Sequence, residues 1–248
     1  RKVTLKERLL MQEALNQFDL EGLVRLTKNI IIATFTIELL GAIFYSFAFV
    51  PQYGWGKGMY YGIFHSIAAF CNAGFDLIGG YRSFTPYVDN IIINITTMIL
   101  IIIGGLGFSV WMDIYGHRSF NKYSLHTKVV IIVTTLLILV GALCIFVFEY
   151  NNPSTLKNLS PIGKILSSFF HSITPRTAGF NTLDNASLTT PTIFLTIILM
   201  FIGGSSGSTA GGIKTNTDGI LLFTLISVFR GREDVELFEK RISRYLVY

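Results

Sequence analysis

Charge is scarce in this sequence. Only 14% of its 248 residues are charged while 51% are hydrophobic, and the mean hydropathy is +0.55, too apolar for an ordinary soluble domain. What remains is a membrane protein. Cysteine is rarer still: Cys71 and Cys144 lie far apart in different apolar runs, which excludes a disulfide framework or a metal-ligand cluster and leaves two free thiols. The four histidines show neither His-x-x-x-His nor Glu-x-x-His spacing, so no metalloenzyme pattern is present. A phosphate-binding loop is excluded too, because Ile213 separates Gly212 from Lys214 where Gly-Lys-Ser/Thr is needed. No catalytic residues and no resident cofactor are expected. The sequence begins at Arg1 in a basic segment with no apolar signal region ahead of it, which suggests the middle of a longer polypeptide.

What the sequence has in abundance is apolar runs, and they come twice in the same order. Phe64-His65-Ser66-Ile67-Ala68-Ala69-Phe70-Cys71-Asn72-Ala73-Gly74-Phe75 returns as Phe170-His171-Ser172-Ile173-Thr174-Pro175-Arg176-Thr177-Ala178-Gly179-Phe180, one residue shorter in its middle. Each copy ends a short apolar run and sits between two longer ones. Residues 29–50, 90–112 and 129–148 are each long enough to cross a bilayer, since about 20 residues rising 1.5 Å apiece cover roughly 30 Å. Residues 58–70 and 160–173 are too short and are expected to enter the membrane and turn back as half-helices. Residues 190–229 form a fourth long segment broken by a Gly/Ser-rich stretch, and the pair Gly104-Gly105 with Gly107 permits close packing or a kink in the second span. Tyr53, Trp55, Tyr60 and Tyr61 read as an interfacial aromatic belt.

The expected fold is an all-α multi-pass membrane protein with two helix–pore-loop–helix repeats, at 29–113 and 129–230. A cytoplasmic amphipathic segment precedes them at 1–28, with Leu5, Leu9, Leu10, Ala14, Leu15 and Phe18 at helical spacing. Linkers at 114–128 and 231–248 complete the chain. Lys and Arg set the orientation: fourteen fall in the terminal segments and the middle linker against five near the short runs, with Lys214 left inside the broken segment. That bias places both termini and the linker in the cytoplasm and lets both half-helices enter from outside. The net charge of +5 is therefore a matter of topology, and no nucleic-acid partner is expected.

Irregular backbone at membrane depth must be buried in protein or line water, because an unpaired peptide group in lipid costs several kcal/mol. Two re-entrant segments thus imply a cavity, and carbonyls at their tips can replace the hydration shell of a cation. Asn72-Ala73-Gly74-Phe75 and Thr177-Ala178-Gly179-Phe180 compare with the Thr-Val-Gly-Tyr core of potassium-channel filters. The expected ion-binding backbone is that of Cys71, Asn72, Ala73 and Gly74 with Arg176, Thr177, Ala178 and Gly179, and potassium is the expected substrate.

On these motifs the chain resembles the Trk/Ktr/HKT superfamily of potassium transporters, and within it the membrane subunits of the bacterial Ktr systems. The resemblance runs along the whole length and is most specific at 170–184 and 203–215. It implies four such repeats around one pore, of which this sequence would be the second and third. It also implies that Gly203, Gly204, Ser205, Ser206, Gly207, Ser208, Thr209, Ala210, Gly211 and Gly212, with Lys214, form an intramembrane gate loop beneath a selectivity filter. A homodimer in the plasma membrane, regulated by a cytosolic nucleotide-binding ring, is implied in the same way; nothing in the residues themselves points to that ring. The alternative is an ion-coupled secondary transporter with broken helices carrying another substrate.

Several side chains have two readings. Lys214 could snorkel or pair with a carboxylate, or take part in gating. Arg176 beside the ion path would repel cations, so it is expected to turn away and brace the loop against a carboxylate such as Asp184 or Glu149. His65 and His171 hold the same repeat position and read as buried hydrogen-bonding groups. Glu38 in mid-span is a functional candidate or an inter-helix hydrogen bonder. Asp76 and Asp184 follow the two segments as candidates for a negative outer mouth, and Asp113 is expected to pair with linker cations.

Overall fold

The computed structural model describes residues 23–117 and 119–215, with positions 217, 219, 221, 224, 229, 235–237 and 240–242 beyond. The amphipathic helix expected within 1–28 lies mostly outside the described residues, as do Arg118, most of 231–248 and the expected resumption at Ile220. Seven helices can be followed: α1 Leu23–Tyr53, α2 Trp55–Phe70, α3 Ile91–Leu106, α4 Phe108–Gly116, α5 Leu125–Glu149, α6 Pro161–Ile173 and α7 Thr190–Phe201. Apart from a two-stranded antiparallel ribbon, β1 Val235–Leu237 with β2 Lys240–Ile242, the described residues are helical or irregular.

Local chemistry explains where these helices start and stop. The side chains of Asn90, Ser124 and Ser160 cap α3, α5 and α6 by accepting from the amides of Ile93, Thr127 and Gly163, and Pro161 occupies the first turn of α6, where its missing N–H costs nothing. Gly54, at φ 77, turns α1 directly into α2, so the expected short helix begins at Trp55 instead of residue 58. The second span departs most from expectation. It is not one helix: α3 and α4 meet at 93° around Gly107, whose φ is 93, so the glycine-rich stretch makes a corner and not merely a kink. The Trp111 indole N–H donates to the Ile103 carbonyl at 2.9 Å across that corner.

By length and composition α1 and α5 can cross a membrane, and the bent α3–α4 pair counts as a third span if taken as one. Polarity is arranged accordingly. Phe35, Leu39, Phe47 and Leu143 are exposed along the long helices, while His65, Ser66, Asn94, Thr97, Ser172 and Arg176 are buried. Inside, the two halves use the same contact. Ser66 on α2 donates to the Glu38 carbonyl of α1 at 2.6 Å, and Ser172 on α6 donates to the Ile138 carbonyl of α5 at 2.9 Å. Gly41 and Gly141 each lie three residues beyond the accepting carbonyl, and a Cβ on either would run into the facing serine oxygen. Missing side chains let the short helix lie close against the long one in both halves.

The halves are joined by a shared core and by loop contacts. The Phe84 and Phe180 rings stack at 4.9 Å between centroids and 10° between planes. The Phe84 amide donates to the Asn181 carbonyl at 3.0 Å, and Ser160 Oγ donates to Asp89 Oδ1 at 2.8 Å. Buried Tyr45, Phe49, Phe70, Ile93 and Phe170 complete the packing around them. Gly141→Ala is expected to lower stability by about 1–3 kcal/mol through overpacking, and adding Ser172→Ala should recover part of the loss in thermal unfolding of the detergent-solubilised protein; strictly additive losses would contradict the contact.

Candidate functional site

The two Ala-Gly-Phe segments leave the ends of α2 and α6 and turn in the same way. Asn72 and Gly74 have φ values of 50 and 70, Thr177 and Gly179 values of 68 and 91, and neither Ala73 nor Ala178 is left-handed. Left-handed backbone is a conformation that asparagine tolerates and glycine adopts freely. The amides are already used. Cys71, Asn72 and Ala73 donate to Ile67, Ala69 and Ala68; Arg176, Thr177, Ala178 and Gly179 donate to Ile173, Pro175 and Thr174, the last accepting from both Ala178 and Gly179. Among the described residues, the carbonyl oxygens of 71–74 and 176–179 accept no hydrogen bond.

The segments also meet. The Gly179 Cβ position lies 3.6 Å from Gly74 Cα, and a Cβ on Gly74 would collide with the Ala178 carbonyl oxygen. Ala73, Thr177, Ala178 and Gly179 line one recess of about 370 Å³, together with His171 and Thr174. The Thr174 hydroxyl donates to the Phe180 carbonyl and fixes the end of the second strand.

Beneath them runs the glycine-rich stretch that interrupts the chain after α7. Its neck is closed by Gly203 N to Ile213 O at 2.9 Å and Thr215 N to Gly204 O at 3.0 Å. Its body docks on the α3–α4 corner: Ser205 N donates to Gly105 O at 2.9 Å, Thr209 N to Gly104 O at 3.2 Å, and Phe108 N to Gly207 O at 2.8 Å. The stretch reaches both segments as well, with Thr209 Oγ1 donating to Phe70 O at 2.9 Å and Gly211 N to Thr177 Oγ1 at 3.1 Å. Within it, Ser208 donates to Ser205 O at 2.6 Å, and the Lys214 ammonium donates to Ala210 O at 2.9 Å. Lys214 thus closes a turn of its own stretch; among the described residues it has no carboxylate partner.

Arg176 differs from expectation in the same respect. Its Nη2 donates to Thr134 Oγ1 at 3.3 Å, Gly203 O at 3.3 Å and Thr215 Oγ1 at 3.2 Å, all neutral oxygens. It braces the segment against the neck of the glycine-rich stretch and not against Asp184 or Glu149. Those carboxylates are engaged locally: Glu149 accepts from Asn152, Thr155 and Thr189, and Asp184 from Ser187 and the Ala186 amide. The Ser187 hydroxyl and that amide hold the exposed Asp184 carboxyl below its ordinary range, so it is ionised at neutral pH. Thr134 and Thr215 were not legible as members of this cluster; a threonine within a span is their only signal.

His65 and His171 are both buried, and their surroundings differ. His65 Nδ1 donates to Tyr61 O at 2.7 Å while Nε2 accepts from Leu77 N at 3.1 Å, which fixes a neutral tautomer. His171 Nε2 lies 3.2 Å from Thr196 Oγ1. Glu38 Oε1 accepts from the Cys71 thiol at 3.8 Å, Asp76 Oδ1 from Ile78 N at 2.9 Å, and Asp113 contacts the linker residue His117 at 3.0 Å.

Helices long and apolar enough to cross a bilayer mark a membrane protein. The chain belongs to the TrkH family of cation transport proteins, whose sequence pattern matches residues 1–247. It is 42% identical over 243 residues to the Ktr system potassium uptake protein B of Bacillus subtilis (strain 168), covering 98% of this chain and 54% of that protein. It is 39% identical over 247 residues to the potassium/sodium uptake protein NtpJ of Enterococcus hirae (strain ATCC 9790), covering 100% of this chain and 54% of that one. The chain therefore spans about half the length of these curated relatives. Its fold is that of the potassium transporter TrkH from Vibrio parahaemolyticus, with a TM-score of 0.73 over 97% of this chain and 50% of that chain at 19% identity. The family is one of transporters and not of enzymes, as the residue pattern implied.

The two glycines differ in what they tolerate. Gly179→Ala is expected to cost about 1–2 kcal/mol for its left-handed backbone, while Gly74→Ala should cost more because it adds a collision to the same strain. Thermal unfolding of the two variants side by side checks the order.

Proposed function

We propose that this chain supplies two of the four sides of a potassium-conducting pore. The observation that carries the reading is the pair of abutting segments, 71–74 and 176–179: the amides of 71–73 and 176–179 are engaged while, among the described residues, the carbonyls of both segments accept no hydrogen bond. Such oxygens can take the place of the water around a dehydrated potassium ion, and the backbone is what binds. The names of the relatives, potassium uptake proteins of Ktr systems and a potassium/sodium uptake protein, support potassium as cargo. In the whole protein two further repeats would close the ring, in a plasma membrane with the ends of this chain on the cytoplasmic side, as the Lys and Arg bias suggests. A homodimer and a cytosolic nucleotide-binding ring belong to the same proposal by family resemblance.

Residues 203–214 act in this reading as a gate. They are tied to Phe70 O, to Thr177 Oγ1 and to the α3–α4 corner, and in this reading cations pass only when those bonds give way. Gly74→Ser and Gly179→Ser are expected to weaken selection of potassium over sodium, measured as uptake at limiting potassium with sodium competing; unaltered selectivity in both, with the protein folded, overturns the filter. Shortening the loop within 203–212 is expected to raise flux, and unchanged transport by a folded deletion counts against the gate.

A second reading has one observation in its favour. Two segments, α3–α4 and the chain after α7, are discontinuous, as in ion-coupled secondary transporters. Uptake tied in fixed ratio to a driving ion in liposomes selects that reading; uptake that follows the potassium gradient alone selects the pore.

A further inference from the structure

A second, much smaller cavity is lined by Asn72 and Arg176 and closed by Ile101, Ile102, Gly105, Ile173, Gly204 and Thr134, whose hydroxyl already accepts from Arg176 Nη2. Asn72 is 9% exposed and Arg176 7%, so both are more than nine-tenths buried. Three of their polar atoms, Asn72 Oδ1, Asn72 Nδ2 and Arg176 Nε, have no hydrogen-bond partner among the described residues. Buried amide and guanidinium groups are rarely left so, since each loses its bonds to water and gains nothing in return.

The cavity gives about 10 Å³ of room to the centre of a water-sized sphere, close to the lower limit for one water molecule. A cation is disfavoured beside the guanidinium. An anion is larger, and its charge would face Asn72 Oδ1. Water alone can both accept from Arg176 Nε and Asn72 Nδ2 and donate to Asn72 Oδ1.

We propose that this cavity is a structural hydration site, in which one ordered water links the Asn72 amide to Arg176 Nε and ties the two Ala-Gly-Phe segments together behind their backbones. Arg176 then has both ends of its guanidinium fixed. Nε is held by the water, and Nη2 by Gly203 O and Thr215 Oγ1 at the two ends of the glycine-rich neck. Displacement of the neck turns the planar guanidinium, and the water carries that turn to the first segment, although among the described residues no hydrogen bond joins the neck to Asn72 directly. Asn72 and Arg176 are positioning residues in this scheme. The hydration site stands without the pore reading; only its consequence for transport rests on that reading.

The direct test is a density map of the intact wild-type transporter at a resolution that shows ordered waters. A peak within about 2.7–3.2 Å of Arg176 Nε and in contact with the Asn72 amide is the expected result. Direct contact of the two side chains overturns the proposal, and so does an anomalous peak there after bromide substitution. The coupling is read with Asn72→Gly, which keeps the left-handed backbone and removes the amide, and with Asn72→Asp, which tolerates the same backbone and restores an acceptor. Asn72→Gly should weaken the apparent affinity for potassium by about tenfold, as for the loss of one bridged hydrogen-bond set, with Asn72→Asp recovering most of it. Equal uptake by Asn72→Gly and wild type overturns the coupling. If the water is present in the map and uptake is not potassium-selective in any of these proteins, the pore reading fails and the hydration site remains.

Discussion

A peptide oxygen that leaves a helix inside an apolar layer must find a partner, and everything in this structure turns on which ones do. The amides that follow α2 and α6 bond back to the helix ends or to the turn just beyond them. The stretch after α7 satisfies its backbone on the α3–α4 corner and on its own neck. Among the described residues the eight carbonyls of 71–74 and 176–179 are left over, held on two strands that touch through Gly74 and Gly179. Around them the short helices pack against the long ones, closely at Gly41 and Gly141, and Phe84 stacks on Phe180 at the seam.

The two halves share more than sequence. Glu38 and Ile138 accept from Ser66 and Ser172, Gly41 and Gly141 make room for those serines, and the same left-handed positions recur two residues apart in each segment. They differ where the glycine-rich stretch engages them. The first half gives it a helix-end carbonyl, Phe70 O, and the second a side-chain hydroxyl, Thr177 Oγ1, with Arg176 gripping the neck. A loop held unequally by two otherwise equivalent strands can be released from one before the other.

Much of this was legible in the residues. Run length separated α1 and α5 from the short α2 and α6, because a fixed rise per residue turns a count into a thickness. The duplicated Phe-His-Ser and Ala-Gly-Phe marked the two segments, and the interruption after Phe201 was visible as glycine and serine in place of apolar residues. What stayed hidden was set by contacts distant in sequence. Glycines in the second span allowed a bend, yet the 93° turn at Gly107 takes its form from the chain after α7, which packs into it about a hundred residues later. Arg176 was expected to seek a carboxylate because charge pairs with charge; here neutral oxygens from α5 and the neck are the ones within reach. Gly41 and Gly141 gave no sign either, since a glycine inside an apolar run shows its purpose only when the facing serine is in place.

The account stands or falls on whether the free carbonyls of the two segments face one cation. Anomalous scattering from the intact transporter loaded with rubidium or thallium tests this most directly. The account predicts a peak on the line between Ala73-Gly74 and Ala178-Gly179, in contact with carbonyl oxygens of both strands. Ions bound only elsewhere, with those oxygens turned to protein donors, would contradict it.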